Sequence, residues 1–488
     1  MKPVVLGLTA TVGLALASAA MAQSAPKVGD PPDSKNMSLV GYSDLQARSA
    51  YSVVIQQQGR RWIAYIGHHG GTDDIKQPFN PLTGKNEDNG TSIVDVTDPH
   101  HPKYLAHIPG EPGTYEGGGA QMVRVCDGKS LPRGDRSAVY MLRVFGNQAH
   151  EIWNVAEPER PKLVTRVVEG LKGTHKSFWE CDTGIAYLVS GVPGWRVPRM
   201  TQIFDLSDPA HPVHIREFGL AGQEPGAGGP TPMMLHGMIS VPSANRVYFG
   251  YGTNAEGVMQ IVDREKLLKG PTEPTDANLR YPEVGRWELS SFNGAHTAFP
   301  MLNVPVAEFA DDKLGRVRNF VVVTNEQILN ECLEPRQMAW FVDVTVEKHP
   351  VSVATYGAKE EPGDFCHRGG RFGTHSSNES MTPIYYGRLM FFTHFNGGVR
   401  AVDVRDPYHP REVGHYIPSI TKNTDKRCIK LHSGEERCKV AIQTNNLEVD
   451  DRGYIYAVDR ANTGMHILQV TGEARKIANF PRKEAKAE

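Results

Sequence analysis

The sequence predicts an all-β protein, a single seven-bladed β-propeller preceded by a signal peptide. Three observations carry that expectation. One hairpin recurs seven times along 488 residues. A pair of short, strand-like segments precedes each copy. Helical periodicity is nearly absent, with residues 264–269 the main candidate for a turn of helix.

The hairpin is clearest at residues 91–108, TSIVDVTDPHHPKYLAHI. Val, Ile, Tyr and Leu favour two strands, 92–96 and 103–108. Asp98, Pro99 and Pro102 favour the turn between them, because proline fixes φ and aspartate bonds its own backbone. Alone, such a hairpin is marginal in water, so the recurrence is what informs. FDLSDPAHPVHI (204–215) and VDVRDPYHPREV (402–413) are close copies. WNVAEPERPKLV (153–164) and VDVTVEKHPVSV (342–353) are looser. QIVDREKLLKG (260–270) and HILQVTGEARKI (466–477) keep the strand and lose the prolines. A spacing of about 50–80 residues suits propeller blades with long loops. The copies resemble the LVIVD repeat, a family of bacterial β-propellers. That resemblance implies the fold and is silent on chemistry.

Taken in order, the chain opens with a secretory signal over residues 1–22. Lys2 supplies its charge, residues 4–20 its apolar run, and Ala20-Met21-Ala22 its cleavage site. Residues 23–36 read as a flexible Pro/Ser/Asp-rich linker, and 37–45 as an outer strand closing the ring against the last blade. The propeller spans 37–480, and 481–488 is a charged tail. The inner strand pairs are expected at 51–56 with 62–67, 121–125 with 138–144, 175–180 with 185–190, and 236–241 with 246–251. They continue at 296–302 with 319–324, 375 onward with 388–393, and 443–449 with 454–458. Runs such as VYFGY, FVVV and LMFF suit strands buried between stacked blades.

The signal implies a periplasmic or secreted protein. No other stretch is long and apolar enough to span a bilayer. A net charge of −2 gives no basic field, which argues against a nucleic-acid partner. Six cysteines in an exported chain point to disulfides. Cys428 and Cys438 bracket a hairpin-like insertion and form the clearest pair. Cys126 and Cys181 fall near the same point of consecutive repeats and can bridge blades, leaving Cys332 with Cys366. Free buried thiols are the alternative.

The layout sorts the 19 histidines. His101, His211, His349 and His409 precede the second proline of the hairpin turn and read as surface residues. His107, His214, His415 and His466 lie in the hairpin strands and read as structural. His175, His236, His296 and His375 each open an innermost strand, in GTHKSFW, MLHGMIS, GAHTAFP and GTHSSNE. A closed ring would bring them to one axis, where neutral imidazoles bind copper, iron or zinc. A repeated structural histidine bonding a neighbouring blade is the competing reading. The same face should carry His68 and His69 (IGHHGG), Glu326 and His394, with Gln121, Asn147, Asn445, Asn446 and Asp459 completing a polar funnel.

The expected metal ligands are therefore His175, His236, His296, His375 and His69, holding Fe(II) or Cu. Glu326 is expected to orient imidazoles, and His394 or His68 to shuttle protons. The reading is a metal-dependent oxidoreductase or oxygenase acting on a small molecule. The alternative is a non-catalytic propeller that binds a protein partner. No GxSxG elbow, HExxH helix, P-loop or dinucleotide fingerprint occurs in a suitable context, and GGGAQMV (117–123) follows no strand-to-helix switch.

Overall fold

The protein is a seven-bladed β-propeller. The computed structural model describes residues 26–253, 255–290, 292–306, 317–359 and 364–481. The expected signal, residues 1–22, and most of the expected charged tail lie outside them. Blade one shows the pattern: Ala50–Gln58, Arg61–His69, Gly90–Asp95 and Lys103–Pro109 pair antiparallel from the axis outward. Blades two to five repeat it, from Val123–Asp127 to Val351–Tyr356. The predicted turn of helix is present at Arg264–Lys269.

The last two blades depart from this pattern. In blade seven the inner strands are Thr444–Val449, Ile455–Asp459 and Gly464–Val470, and the outermost is Met37–Ser43 from the other end of the chain. This is the predicted ring closure. The segment after Gly464–Val470 is helical instead, over Gly472–Ile477. Asp33–Lys35, read from the sequence as the end of a linker, is also a strand. It adds outside Arg411–Ile417 of blade six, pairing Ser34 with Tyr416. The innermost position of blade six is held by an irregular segment around His375, tied by the His375 amide to the Thr393 carbonyl and by a single bridge from Ser377 to Phe392. The predicted strand there does not form.

Seven apolar cores separate the seven blades, and together they close the ring. Second strands serve two cores at once because alternate side chains point to opposite faces. Ile63 and Tyr65 pack against Val123, Val125 and Met141 of blade two. Ala64 and Ile66 pack against Val458 and Ile467 of blade seven. Both faces are buried, so these strands are apolar throughout. The recurrent turn is locked by its own residues: Asp98 accepts the His100 amide at 3.0 Å and pairs with His101 Nδ1 at 2.8 Å. Asp208–His211 and Asp406–His409 repeat the pairing on the exposed rim. Those histidines are turn residues, as expected.

The three disulfides are Cys126–Cys181, Cys332–Cys366 and Cys428–Cys438. The last links facing residues of the hairpin Lys426–Lys430 and Glu436–Val440. Cys126–Cys181 ties blade two to blade three across 55 residues. Replacing both by serine is expected to cost about 2–5 kcal/mol, because the unfolded chain regains the freedom of a long loop. Guanidinium denaturation of the oxidised protein and the double variant measures this. Equal midpoints would show that the cross-link adds nothing beyond the packing.

Candidate metal centre

The inner segments of blades three to six deliver His175, His236, His296 and His375 to one buried point. All four are at most 2% exposed. His175 Nε2 lies 2.7 Å from His236 Nε2. The His236 and His296 rings are 3.8 Å apart between centroids, and His296 and His375 4.2 Å. Backbone irregularity helps aim these side chains. The ladder of blade four skips from Leu235 to Gly237, leaving His236 at a bulge. Blade one skips Tyr51 and blade seven Asn445 in the same way. A bulge frees one residue from the pleat and redirects its side chain.

Glu326 completes the group. Its carboxylate lies 3.9 Å from His236 Nε2 and 3.6 Å from His375 Nε2. The ligand atoms offered by His236, His296 and Glu326 all fall within 4.8 Å of one another. Arg371 donates to Glu326 at 3.1 Å, and Arg460 approaches it at 3.8 Å. Burial raises the Glu326 pKa above the ordinary carboxyl range, against the pull of Arg371.

A hydrogen bond fixes which nitrogen of His375 carries the lone pair, and the bonding of His296 is compatible with the same tautomer. His375 Nδ1 lies 2.6 Å from the Asn445 carbonyl, which only accepts, so Nδ1 is the donor and Nε2 is bare. His296 Nδ1 lies 3.0 Å from Thr297 Oγ1, which also accepts from Lys176 Nζ at 2.7 Å. That hydroxyl can accept both, leaving His296 Nε2 bare. Neither His296 Nε2 nor His375 Nε2 has a hydrogen-bond partner. Burial drives all four histidines well below their ordinary pKa, followed by Arg199 for His175, Lys176 for His236, His236 for His296 and Arg460 for His375. Four neutral imidazoles and one carboxylate therefore share a buried site in which His296 Nε2 and His375 Nε2 are unpartnered.

The other expected site residues divide. His69 reaches the edge of the centre, but its Nε2 is engaged by Gln121 Oε1 at 2.9 Å, so it borders the group instead of joining it. His68 does not reach it. Its Nε2 bonds Ser92 Oγ at 2.7 Å, inside blade one near His107. His394 does not reach it either. It lies against Tyr356 and Phe372 and lines a separate cavity of about 290 Å³. The reason is common to both. Neighbouring strand residues face opposite ways, so His69 and Thr393 point to the axis side while His68 and His394 turn from it. The proton-shuttle role expected for His68 and His394 is withdrawn on this geometry.

Tyr51 was not singled out from the sequence. It occupies in blade one the register that histidine holds in blades three to six, and its hydroxyl lies 3.2 Å from His175 Nε2. Burial, then Glu326, raises its pKa well above the ordinary value, so it stays a donor. The signal was present in Ser49-Ala50-Tyr51, which aligns with Gly294-Ala295-His296. Cys428, Glu436 and Cys438 also cluster, but as a disulfide the sulfurs are not thiolate ligands.

No protein-family model matches this chain, and no curated protein matches it. Among solved structures, it is similar to a hypothetical selenium-binding protein from Sulfolobus tokodaii, with 12% identity and a TM-score of 0.50 over 91% of this chain and 92% of that one. It is also matched to Sqt1 from Chaetomium thermophilum, with 10% identity and a TM-score of 0.46 over 89% of this chain and 99% of that one. At such identities the first likeness speaks for the fold alone.

Proposed function

We propose that this is an exported propeller of the LVIVD-repeat type that holds an Fe(II) or Cu ion at its axis and performs redox or oxygenase chemistry on a small molecule. The observation that carries the reading is the convergence of His175, His236, His296 and His375 with Glu326 in a site where His296 Nε2 and His375 Nε2 lack partners. Bare buried nitrogens are costly unless something accepts their lone pairs. Imidazole-rich sets with few carboxylates favour copper or iron over magnesium or calcium.

When bound, such an ion supplies electron transfer and polarises an oxygen or sulfur of the substrate. The chain's own residues prepare the place. The Asn445 carbonyl and Thr297 hold two imidazoles in the ligating tautomer. Tyr51 keeps a proton directed at His175. The four imidazoles and Glu326 are buried, and a cavity of about 260 Å³ comes as far as His69, Arg371 and Arg460 at the edge of the centre. The disulfides support an oxidising address.

Elemental analysis of the untagged protein, exported and purified without chelator, tests the reading. Close to one equivalent of iron or copper is expected. A folded protein with neither metal, and unable to take either up, would leave the non-catalytic propeller that binds a protein partner.

A further inference from the structure

We propose that the ligand received at this centre is a small organic carboxylate, held by Arg460 and Arg371. The inference builds on the metal reading and names the chemistry of what enters. Three guanidiniums surround the axis mouth: Arg199, Arg371 and Arg460. Among the described residues, two carboxylates lie within 4 Å of them. Glu116 meets Arg199 at 3.3 Å and Arg460 at 3.4 Å, and Glu326 meets Arg371 at 3.1 Å. The imidazoles are neutral, so these three guanidiniums and two carboxylates leave one positive charge in excess, and a divalent ion would add two more. An enclosed excess of that size is unfavourable without an anion.

Arg460 marks where the anion belongs. The residue is only 9% exposed, yet its Nη1 has no hydrogen-bond partner, the nearest Glu326 oxygen being 3.8 Å away. Arg460, Arg371 and His69 together line the 260 Å³ cavity. The other charges on that wall are largely spoken for. Arg427 holds Asp425 at 2.6 Å, Lys426 pairs with Asp74 at 3.3 Å, the neighbouring Asp459 accepts the Gln443 and Ala461 amides, and Asp73 is exposed to solvent. Glu436 is exposed on the hairpin rim and screened by solvent. A guanidinium fork matches the two oxygens of a carboxylate, and the cavity volume admits only a small molecule.

Acetate is the probe, titrated by calorimetry in low-chloride buffer into metal-loaded and metal-stripped protein. The metal-loaded protein is expected to bind one acetate saturably, and the stripped protein to bind it more weakly, because the arginine excess remains. Arg460→Gln should weaken binding at least tenfold with metal content unchanged; Arg371→Gln should weaken it as much when compared at equal metal occupancy, since Arg371 also holds Glu326. Arg460→Lys, which keeps the charge and loses the fork, should fall between. Absence of saturable binding in both wild-type forms overturns the proposal, as does equal affinity in the Gln variants. Acetate binding that depends on Arg460 in a protein that never takes up metal would sustain the anion site and sink the metal reading. A metal-loaded protein indifferent to acetate does the reverse.

Discussion

Replacing His236 or His296 by alanine should strip the purified protein of its metal. Each change deletes an imidazole whose Nε2 faces the centre, and no nearby group can substitute. His175 and His375 are already in the set, and His69 is engaged by Gln121. Loss of an outer-shell partner alone typically weakens a metal about 10–100-fold, so loss of a direct ligand should exceed that. Bound metal should fall below a tenth of the wild-type content by elemental analysis. His68→Ala and His394→Ala are the controls. Both remove buried histidines of similar size from outside the centre, and both should retain full metal content. The contrast separates a specific site from general loosening of the fold. Undiminished metal in both His236→Ala and His296→Ala would remove the centre from consideration.

Acid should destabilise the metal-free protein unusually early. Ten histidines are buried and held below their ordinary pKa chiefly by burial. His69 and His394 fall to about 3, and His107, His150 and His466 to about 4. His68 and the four of the centre lie well below the ordinary value. The sign follows from proton uptake. Below an unfolded pKa near 6.5 the unfolded chain binds protons that the folded one refuses, so stability present above that pH drains as pH falls toward the folded values. Each such histidine contributes up to about 1.4 kcal/mol per pH unit. Glu448 acts the other way, since burial and Glu379 raise it to about 7, and burial raises Glu326, Asp425 and Asp459 as well, but these are four groups against ten. Guanidinium midpoints should therefore drop steeply between pH 6.5 and pH 5, before carboxylates such as Glu87 and Glu379, held near 2, begin to protonate. A midpoint constant across that window would mean that these imidazoles are open to protons in the folded state.

The propeller was legible because its unit repeats. One Asp-Pro turn means little, but seven copies flanked by two-faced apolar strands leave few architectures. The convergence of His175, His236, His296 and His375 was legible for the same reason, since equal positions in successive blades meet at the axis. What escaped were features set by single-residue register. His68 and His394 were placed on the axis by proximity in sequence, and the two-residue strand period turned them away. The bulges at Tyr51, His236 and Asn445 depend on how neighbouring strands pair, which local residue preference does not encode. Tyr51 holds the register of the four axial histidines without their residue type, so the recurring imidazole does not reveal it. Asp33–Lys35 resembled a linker because a three-residue polar edge strand carries no apolar signal of its own.

Residues 33–43 grip the final two sectors, and this has a bearing on biogenesis. Met37–Ser43 finds its partner only at Gly464–Val470, more than 400 positions later. Until synthesis has delivered that partner, both ends of the array present bare backbone edges, which invite pairing with other chains. Completion is therefore necessarily post-translational, and the ring is joined head to tail only after the last blade has left the ribosome.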